Sequence, residues 1–470
     1  MTASFSAADA RDWTGSELLR GSPDAVFAGV SIDSRTVGAG DLFVAIAGPH
    51  HDGHDHVAGA LAAGAAGCLI ARGRKLPDGF DERRVALAAD DTTRALGDLA
   101  AGHRARFAGP VVAVTGSNGK TSTKEMCAAI LDVGGPCLRT QGNLNNQYGL
   151  PLTLLRRSDA HASVVVELGT NHPGEIARLT GIARPTVGVI TNVGTAHIEF
   201  LGSREGIARE KGDLVAGLAT GGVAVLNADD PLVLSQAART RARILRFGRG
   251  RDADVRAEDV SWRDGAFELR VAAPEGVVDV RVAGLGEATV VNALAASAAA
   301  LAAGASPADL ARGLAEYRPV HGRLEPVALP GDVLVIDDTY NANPQSLEVA
   351  LRELATGAAC ARGRHVAVIG DMGELGPETS AAHRAAGSLA AQLGIDHVYA
   401  VGAQAALVAD GARSAGLAAD RIHAYAEWEP AAEALTLSLR PGDRVLVKGS
   451  RSMRMERIVE RIAAAAGGAR

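Results

Sequence analysis

Short runs of Val, Ile, Leu and Ala, each closed by Gly, Asp, Asn or Lys, alternate along the chain with longer stretches of helical periodicity. The clearest are Val111–Val114, Val164–Glu167, Val187–Val193, Val223–Asn227, Val333–Asp337, His365–Gly370, Val398–Gly402 and Arg444–Lys448. A run that is apolar at nearly every position predicts a strand buried on both faces, with helices covering a parallel sheet. Sheets of this kind take ligands beyond the carboxyl ends of their strands, which is where the polar residues of this chain gather. Residues 1–109 look different. Strands are predicted there at Val26–Ser34, Asp41–Ala47 and Gly67–Ala71, with an Ala-rich helix before the last. Leu96, Leu99, Ala100, His103 and Phe107 recur on one face of a further helix. Alternation over Ala253–Ala283 predicts a small antiparallel insert. Ala108-Gly109-Pro110 reads as a hinge and Pro319–Gly322 as a second boundary, dividing the chain into 1–109, 110–320 and 321–470.

Composition narrows the class. A length of 470 residues suits about three domains. A net charge of −6 and 3% aromatic residues argue against a nucleic-acid binder, which needs a basic face or a stacking platform. The cysteines Cys68, Cys127, Cys137 and Cys360 form neither a CxxC pair nor a zinc-like spacing, which predicts a reducing compartment. The apolar stretch Val290–Ala305 contains Asn292 and Ser297 and is too short to cross a bilayer. Met1–Phe5 lacks the basic and apolar segments of a secretory leader. A cytoplasmic protein without membrane insertion is expected.

The first chemical signal is Thr115-Gly116-Ser117-Asn118-Gly119-Lys120-Thr121-Ser122, between a predicted strand and a predicted helix. Glycines let the backbone approach phosphate oxygens, and the amides of a helix N-terminus point at them. Lys120 would reach the terminal phosphates, and the Thr121 hydroxyl would hold Mg²⁺. The turn is a shortened form, because the first glycine of the longer phosphate-loop pattern would fall at Val114. The bland reading is a glycine-rich turn with an exposed lysine, but the strand-to-helix context favours a nucleotide.

Other candidates each carry two readings. Glu167 is a strand-end acid, either solvated or poised for Mg²⁺. His197 follows a strand and is either structural or a ligand. Lys211 shares an apolar stripe with Ile207, Leu214, Val215 and Leu218. It either snorkels at the stripe's edge or is buried with a depressed pKa that lets CO₂ carbamylate it. Asp337-Asp338-Thr339-Tyr340-Asn341-Ala342-Asn343-Pro344 suits a ribose and a polar substrate, or a turn ending in a helix cap. Arg323 either contacts phosphate or bridges domains.

Taken together and in order, Gly116–Met126, Gly142–Asn146, Glu167–His172, Asp337–Pro344, Gly370–Gly376 and Val447–Ser452 resemble the signatures of the Mur ligase family, ATP-dependent amide-bond ligases of peptidoglycan precursor synthesis. The resemblance spans essentially the whole chain. It implies a three-domain α/β fold: a small N-terminal domain that binds the UDP substrate, a central P-loop mononucleotide-binding domain and a C-terminal Rossmann-like domain. It implies ATP and Mg²⁺, with UDP-N-acetylmuramoyl-tripeptide and D-alanyl-D-alanine as substrates of a monomeric enzyme. Lys120 and Thr121 then match the ATP loop; Glu167 and His197 match metal ligands; Lys211 matches the family's carbamylated lysine, and that match favours the buried reading over snorkelling. Asn292 matches an adenine-side asparagine, Arg323 a C-terminal ATP contact, and Asp337 and Asp338 the acidic nucleotide motif. Ser31, Ser34 and Arg35 lie where the family grips UDP; Asn145 and Asn146 should face the sugar-peptide, and Tyr340, Asn341 and Asn343 the substrate. Two alternatives stay open: a family member adding another amino acid, against which the missing DNPR and DYAH motifs count, and a non-catalytic nucleotide-binding regulator.

Overall fold

The structure is a computed structural model that describes residues 4–357 and 363–467; Met1, Thr2, Ala3 and Cys360 lie outside them. Three larger sheets organise the chain. The first runs in the order Glu17–Arg20, Val85–Ala89, Gly67–Ala71, Asp41–Val44, Gly29–Ser31 and is parallel except at Glu17–Arg20. The second has nine strands. Its parallel part is ordered Val255–Arg263, Arg243–Gly248, Val223–Asn227, Val187–Ile190, Val111–Thr115, Ser163–Glu167, Cys137–Arg139. Ala266–Ala273 and Gly276–Ala283 extend it as antiparallel hairpins, so the expected insert is an extension of the main sheet. The third is ordered Glu325–Leu329, Val333–Asp338, Arg444–Lys448, His365–Gly370, His397–Val401, Ile422–Tyr425, with only Glu325–Leu329 antiparallel.

Several predicted strands are shorter than the pattern suggested. Val187–Val193 ends at Ile190, because Thr191 and Asn192 turn away to bond the neighbouring loop. Val26–Ser34 divides into Val26–Phe27, paired with Phe5–Ser6, and Gly29–Ser31, paired with Asp41–Val44. The Ala28 amide between them bonds Gly40 O at 2.9 Å, which breaks the strand into two sheets. Asp41–Ala47 likewise stops at Val44.

The predicted helix with the Leu96 stripe spans Thr92–Ala105, and Asp91 caps it by accepting from the amides of Thr93 and Arg94. Phe107 falls past its end. Leu96, Leu99 and Ala100 share one core with Val111, Val164 and Leu150, so the first and second sheets are joined by continuous apolar packing. Arg104, on the same helix, donates to the carbonyls of Ala183 at 2.9 Å and Arg184 at 3.0 Å. The third sheet keeps cores of its own, which take Leu285 and the rim of Trp262 from outside. The Ala-rich segment forms the helix Glu287–Ala302, buried against the second sheet. Among the described residues no helix is long and apolar enough to cross a membrane.

Candidate active site

Val111–Thr115 stands at the point where the second sheet changes direction. The chain first fills Cys137–Arg139 and Ser163–Glu167 on one side, then crosses to Val187–Ile190 on the other. Such a reversal opens a crevice at the strand ends, and the turn 115–122 lies in it. Gly116 has φ +152°, and a Cβ there would lie 1.8 Å from Thr191 Oγ1, so only glycine fits. The neighbouring strand end braces the loop. Thr191 Oγ1 and Asn192 Nδ2 donate to Asn118 O at 2.6 and 3.0 Å. The amides of Ser117 and Asn118 donate to Asn192 O at 3.0 Å and Asn192 Oδ1 at 2.9 Å. Two loop amides are therefore spent inside the protein, and the anion-facing donors are those at the start of the helix Lys120–Asp132, which Gly119 caps without a side chain.

Lys120 Nζ folds onto Gly116 O at 2.8 Å and Ser117 O at 3.3 Å. Burial lowers its pKa; the positive charge of Arg323 adds to this and Glu167 opposes it. Thr121 Oγ1 donates to Glu167 Oε2 at 2.8 Å, and Asn145 Nδ2 donates to Glu167 Oε1 at 2.8 Å. The backbone amide of Glu167 bonds Thr140 Oγ1, which fixes the strand end. Asn292 reaches the same turn: its Oδ1 accepts from Thr123 Oγ1 at 3.4 Å and would meet a Cβ on Gly119 at 2.3 Å.

Lys211 is 1% exposed, which decides against snorkelling, since a snorkelling lysine keeps its ammonium in water. Its pKa lies well below the ordinary lysine value, chiefly through desolvation and then through Lys120, with Glu210 and Glu167 opposing. Glu210 is itself buried and accepts from the amides of Gly174 and Ile176 at 2.7 and 2.8 Å. Its carboxylate thereby ties the Lys211 helix to the turn after Glu167. Sequence spacing gave no sign of this.

The segment that follows the strand Val333–Asp338 of the third sheet meets the loop directly. Asn343 Nδ2 donates to Asn118 Oδ1 at 3.0 Å, and Asn118 Nδ2 donates to Gln345 Oε1 at 3.2 Å. Asn343 also caps the helix Pro344–Thr356. A Cβ on Gly194 would stand 1.9 Å from Gln345 Oε1. His197 Nδ1 lies 2.6 Å from Glu374 Oε2, again across this boundary. Asp338 pairs with Lys448 at 2.6 Å and accepts from the Leu324 amide, while Asp337 is buried and accepts from Thr339. The Arg323 guanidinium stacks 4.1 Å from the centre of the Tyr340 ring. Asn341 O accepts from Lys448 Nζ at 2.9 Å.

The remaining candidates lie at the first sheet. Ser31 Oγ donates to Asp33 O, and Arg35 forms a two-pronged pair with Asp33 that holds the Asp33 carboxyl at about 2. Ser34 belongs to the same turn. Asn146 Oδ1 accepts from the amides of Tyr148 and Gly149. The helix Gly149–Leu155 that it opens packs against Gly29–Ser31, which brings the two candidate blocks side by side.

A Gly194→Ala variant is expected to push Gln345 off Asn118 and leave the central sheet intact. Nucleotide affinity should stay within about twofold, while turnover falls about tenfold, equivalent to about 1.4 kcal/mol. Equilibrium ATP binding beside steady-state rates checks this.

Three family models match the chain: the Mur ligase family catalytic domain over residues 26–104, the Mur ligase middle domain over 114–300, and the Mur ligase glutamate ligase domain over 322–451. The UDP-N-acetylmuramoyl-tripeptide–D-alanyl-D-alanine ligase of Escherichia coli (strain K12) is 37% identical over 432 residues, covering 92% of each chain. A crystal structure of MurF from Acinetobacter baumannii superposes with a TM-score of 0.89 at 34% identity, covering 98% of this chain and 99% of that one. MurF ligase from Thermotoga maritima, solved in complex with ADP, gives 0.80 at 30% identity, covering 93% and 98%.

Proposed function

The chain belongs to the Mur ligase family, and from that premise we propose that it joins D-alanyl-D-alanine to UDP-N-acetylmuramoyl-tripeptide, driven by ATP, in peptidoglycan precursor synthesis. The observation that carries this reading is the convergence of Lys120, Thr121, Glu167 and Lys211 at one strand-end crevice, with Asn343 of the third sheet docked on the loop.

A carboxylate resists attack by an amine because its departing oxygen is too basic. Transfer of the ATP γ-phosphoryl group to the tripeptide carboxylate turns that oxygen into a good leaving group. The dipeptide amine then attacks, and the tetrahedral intermediate collapses to amide and phosphate. Most of the protein's contribution is positioning and charge neutralisation. Lys120 supplies positive charge to the phosphates, and the amides of the helix start bind them. Arg323, Asp337, Asp338 and Asn292 would hold the nucleoside end. Ser31, Ser34, Arg35, Asn145 and Asn146 would hold the UDP-sugar side, with Tyr340, Asn341 and Asn343 toward the incoming amine.

The residues present fit a hard divalent cation. Glu167 is buried, and its carboxylate oxygens are bonded by two neutral donors, the Thr121 hydroxyl and the Asn145 amide. Thr121, Glu167 and His197 would hold Mg²⁺, with Lys211 as its carbamate contributing a further carboxylate. The cation would offset phosphate charge. We further propose division at 109/110 and 320/321, a cytoplasmic location and a monomeric enzyme that is inactive when the third domain stands open.

Phosphate release is expected only when ATP, UDP-N-acetylmuramoyl-tripeptide and D-alanyl-D-alanine are all present. Release that follows another amino acid would point to a different ligase of the family. ATP binding without release would point to a regulator.

A further inference from the structure

His197 and Glu374 face each other across the boundary between the second and third sheets, and both have a left-handed backbone, φ 62° and φ 59°. Non-glycine residues rarely adopt that conformation unless the surroundings enforce it. The surroundings of Glu374 do so. Asp371 accepts from the amides of Ala403 and Gln404, both at 2.9 Å, and its own carbonyl accepts from the Ser450 amide. The Gly373 amide donates to Ser450 Oγ at 2.7 Å. The Met372 amide donates to His383 Nε2 at 2.9 Å, and the other ring nitrogen of His383 is 2.7 Å from Thr379 O. The fully buried His383 thus holds one face of the turn as a fixed tautomer. On the opposite side, the short helix Ile198–Leu201 packs against the segment Gly376–Glu378.

We propose that Glu374 is a positioning residue: its carboxylate accepts the Nδ1–H of His197 when the third domain is docked, and so leaves Nε2 as the ring's lone-pair nitrogen for a divalent cation. An imidazole ligates through whichever nitrogen lacks the proton, and a carboxylate on the other nitrogen fixes which one that is. Docking of the third domain therefore completes the metal site of the second. This rests on the reading above that His197 is a metal ligand.

Mn²⁺ binding to the ADP-saturated protein, read by electron paramagnetic resonance, tests the assignment. Glu374→Ala should weaken Mn²⁺ binding by about tenfold or more, as removal of such a partner commonly does. Glu374→Gln, whose amide oxygen still accepts from Nδ1–H, should recover most of that loss. The ¹⁵N signals of the His197 ring should report one tautomer in the wild type and in Glu374→Gln, and a mixture in Glu374→Ala. Wild-type binding in Glu374→Ala, or equal loss in the Ala and Gln variants, overturns the positioning role. His197→Ala separates the two levels. If it loses Mn²⁺ while Glu374→Ala does not, the ligand reading stands and only the positioning fails. If it binds as wild type, the ligand reading falls and takes the proposal with it.

Discussion

Lys120→Ala should lose more than about 1,000-fold of ATP-dependent phosphate release, a deficit of about 4 kcal/mol in transition-state stabilisation. Its fold should be nearly unaffected. Among the described residues the ammonium bonds only to the loop carbonyls of Gly116 and Ser117. Loss of those bonds and relief of a desolvated charge act in opposite directions, so net stability should shift by about 1 kcal/mol at most. The loop itself is held by Thr191 and Asn192, which the substitution does not touch. Phosphate release, thermal unfolding and ATP binding, measured together, check the expectation. Turnover at the wild-type rate would remove the loop from the chemistry.

Lys211→Ala should also be severe, about 100-fold or roughly 2.7 kcal/mol, yet for a different reason and with a different remedy. Burial holds the Lys211 amine well below the ordinary lysine value, and the charge of Lys120 pushes the same way. A larger fraction is then neutral near pH 7, and the neutral amine is the form that adds to CO₂. The nitrogen bonds to the carbon and one proton is released, so the neutral amine becomes an anion; counted from the ammonium, two protons leave. A carbamate beside Lys120 would replace repulsion with attraction, while Glu167 and Glu210 would meet it as like charges that a bound divalent cation would offset. Truncation to alanine would remove the proposed carbamate and leave room for a small carboxylate. Formate or acetate should therefore restore about tenfold of the lost rate, and neither should help Lys120→Ala. Full activity of Lys211→Ala without added carboxylate would overturn the role.

Much of this site was legible in the sequence because its chemistry is local. The phosphate turn, Glu167 and the segment Asp337–Pro344 each follow an apolar run, and a run apolar on both faces has few alternatives to a buried strand. Strands that depend on their neighbours were less legible. Val85–Ala89 is alanine-rich enough to pass for helix, and Arg243–Gly248 and Ile422–Tyr425 mix charged or polar residues into short segments. Gln345, Glu210 and His383 escaped for another reason, and Glu374 was legible as part of the block Gly370–Gly376, but its bond to His197 was not. Each acts through a partner far away in the chain or through a bond to backbone, and neither leaves a periodic trace. The Asn118–Gln345 contact spans 227 positions and His197–Glu374 spans 177.

The shared core beneath the helix Thr92–Ala105 has an evolutionary corollary. A chimera joined near Pro110 would have to match two apolar surfaces cut from one interior, whereas a join near Gly322 cuts a small apolar seat, Leu285 and Trp262, and the polar contacts of Asn118 with Asn343 and Gln345 and of His197 with Glu374. Recombination can therefore exchange the last third of such a chain without cutting a shared core, provided that the newcomer keeps Asn343, Gln345 and Glu374. On the proposed assignment of Tyr340, Asn341 and Asn343 to the incoming amine, such an exchange would change that specificity and leave Ser31, Ser34 and Arg35 in place.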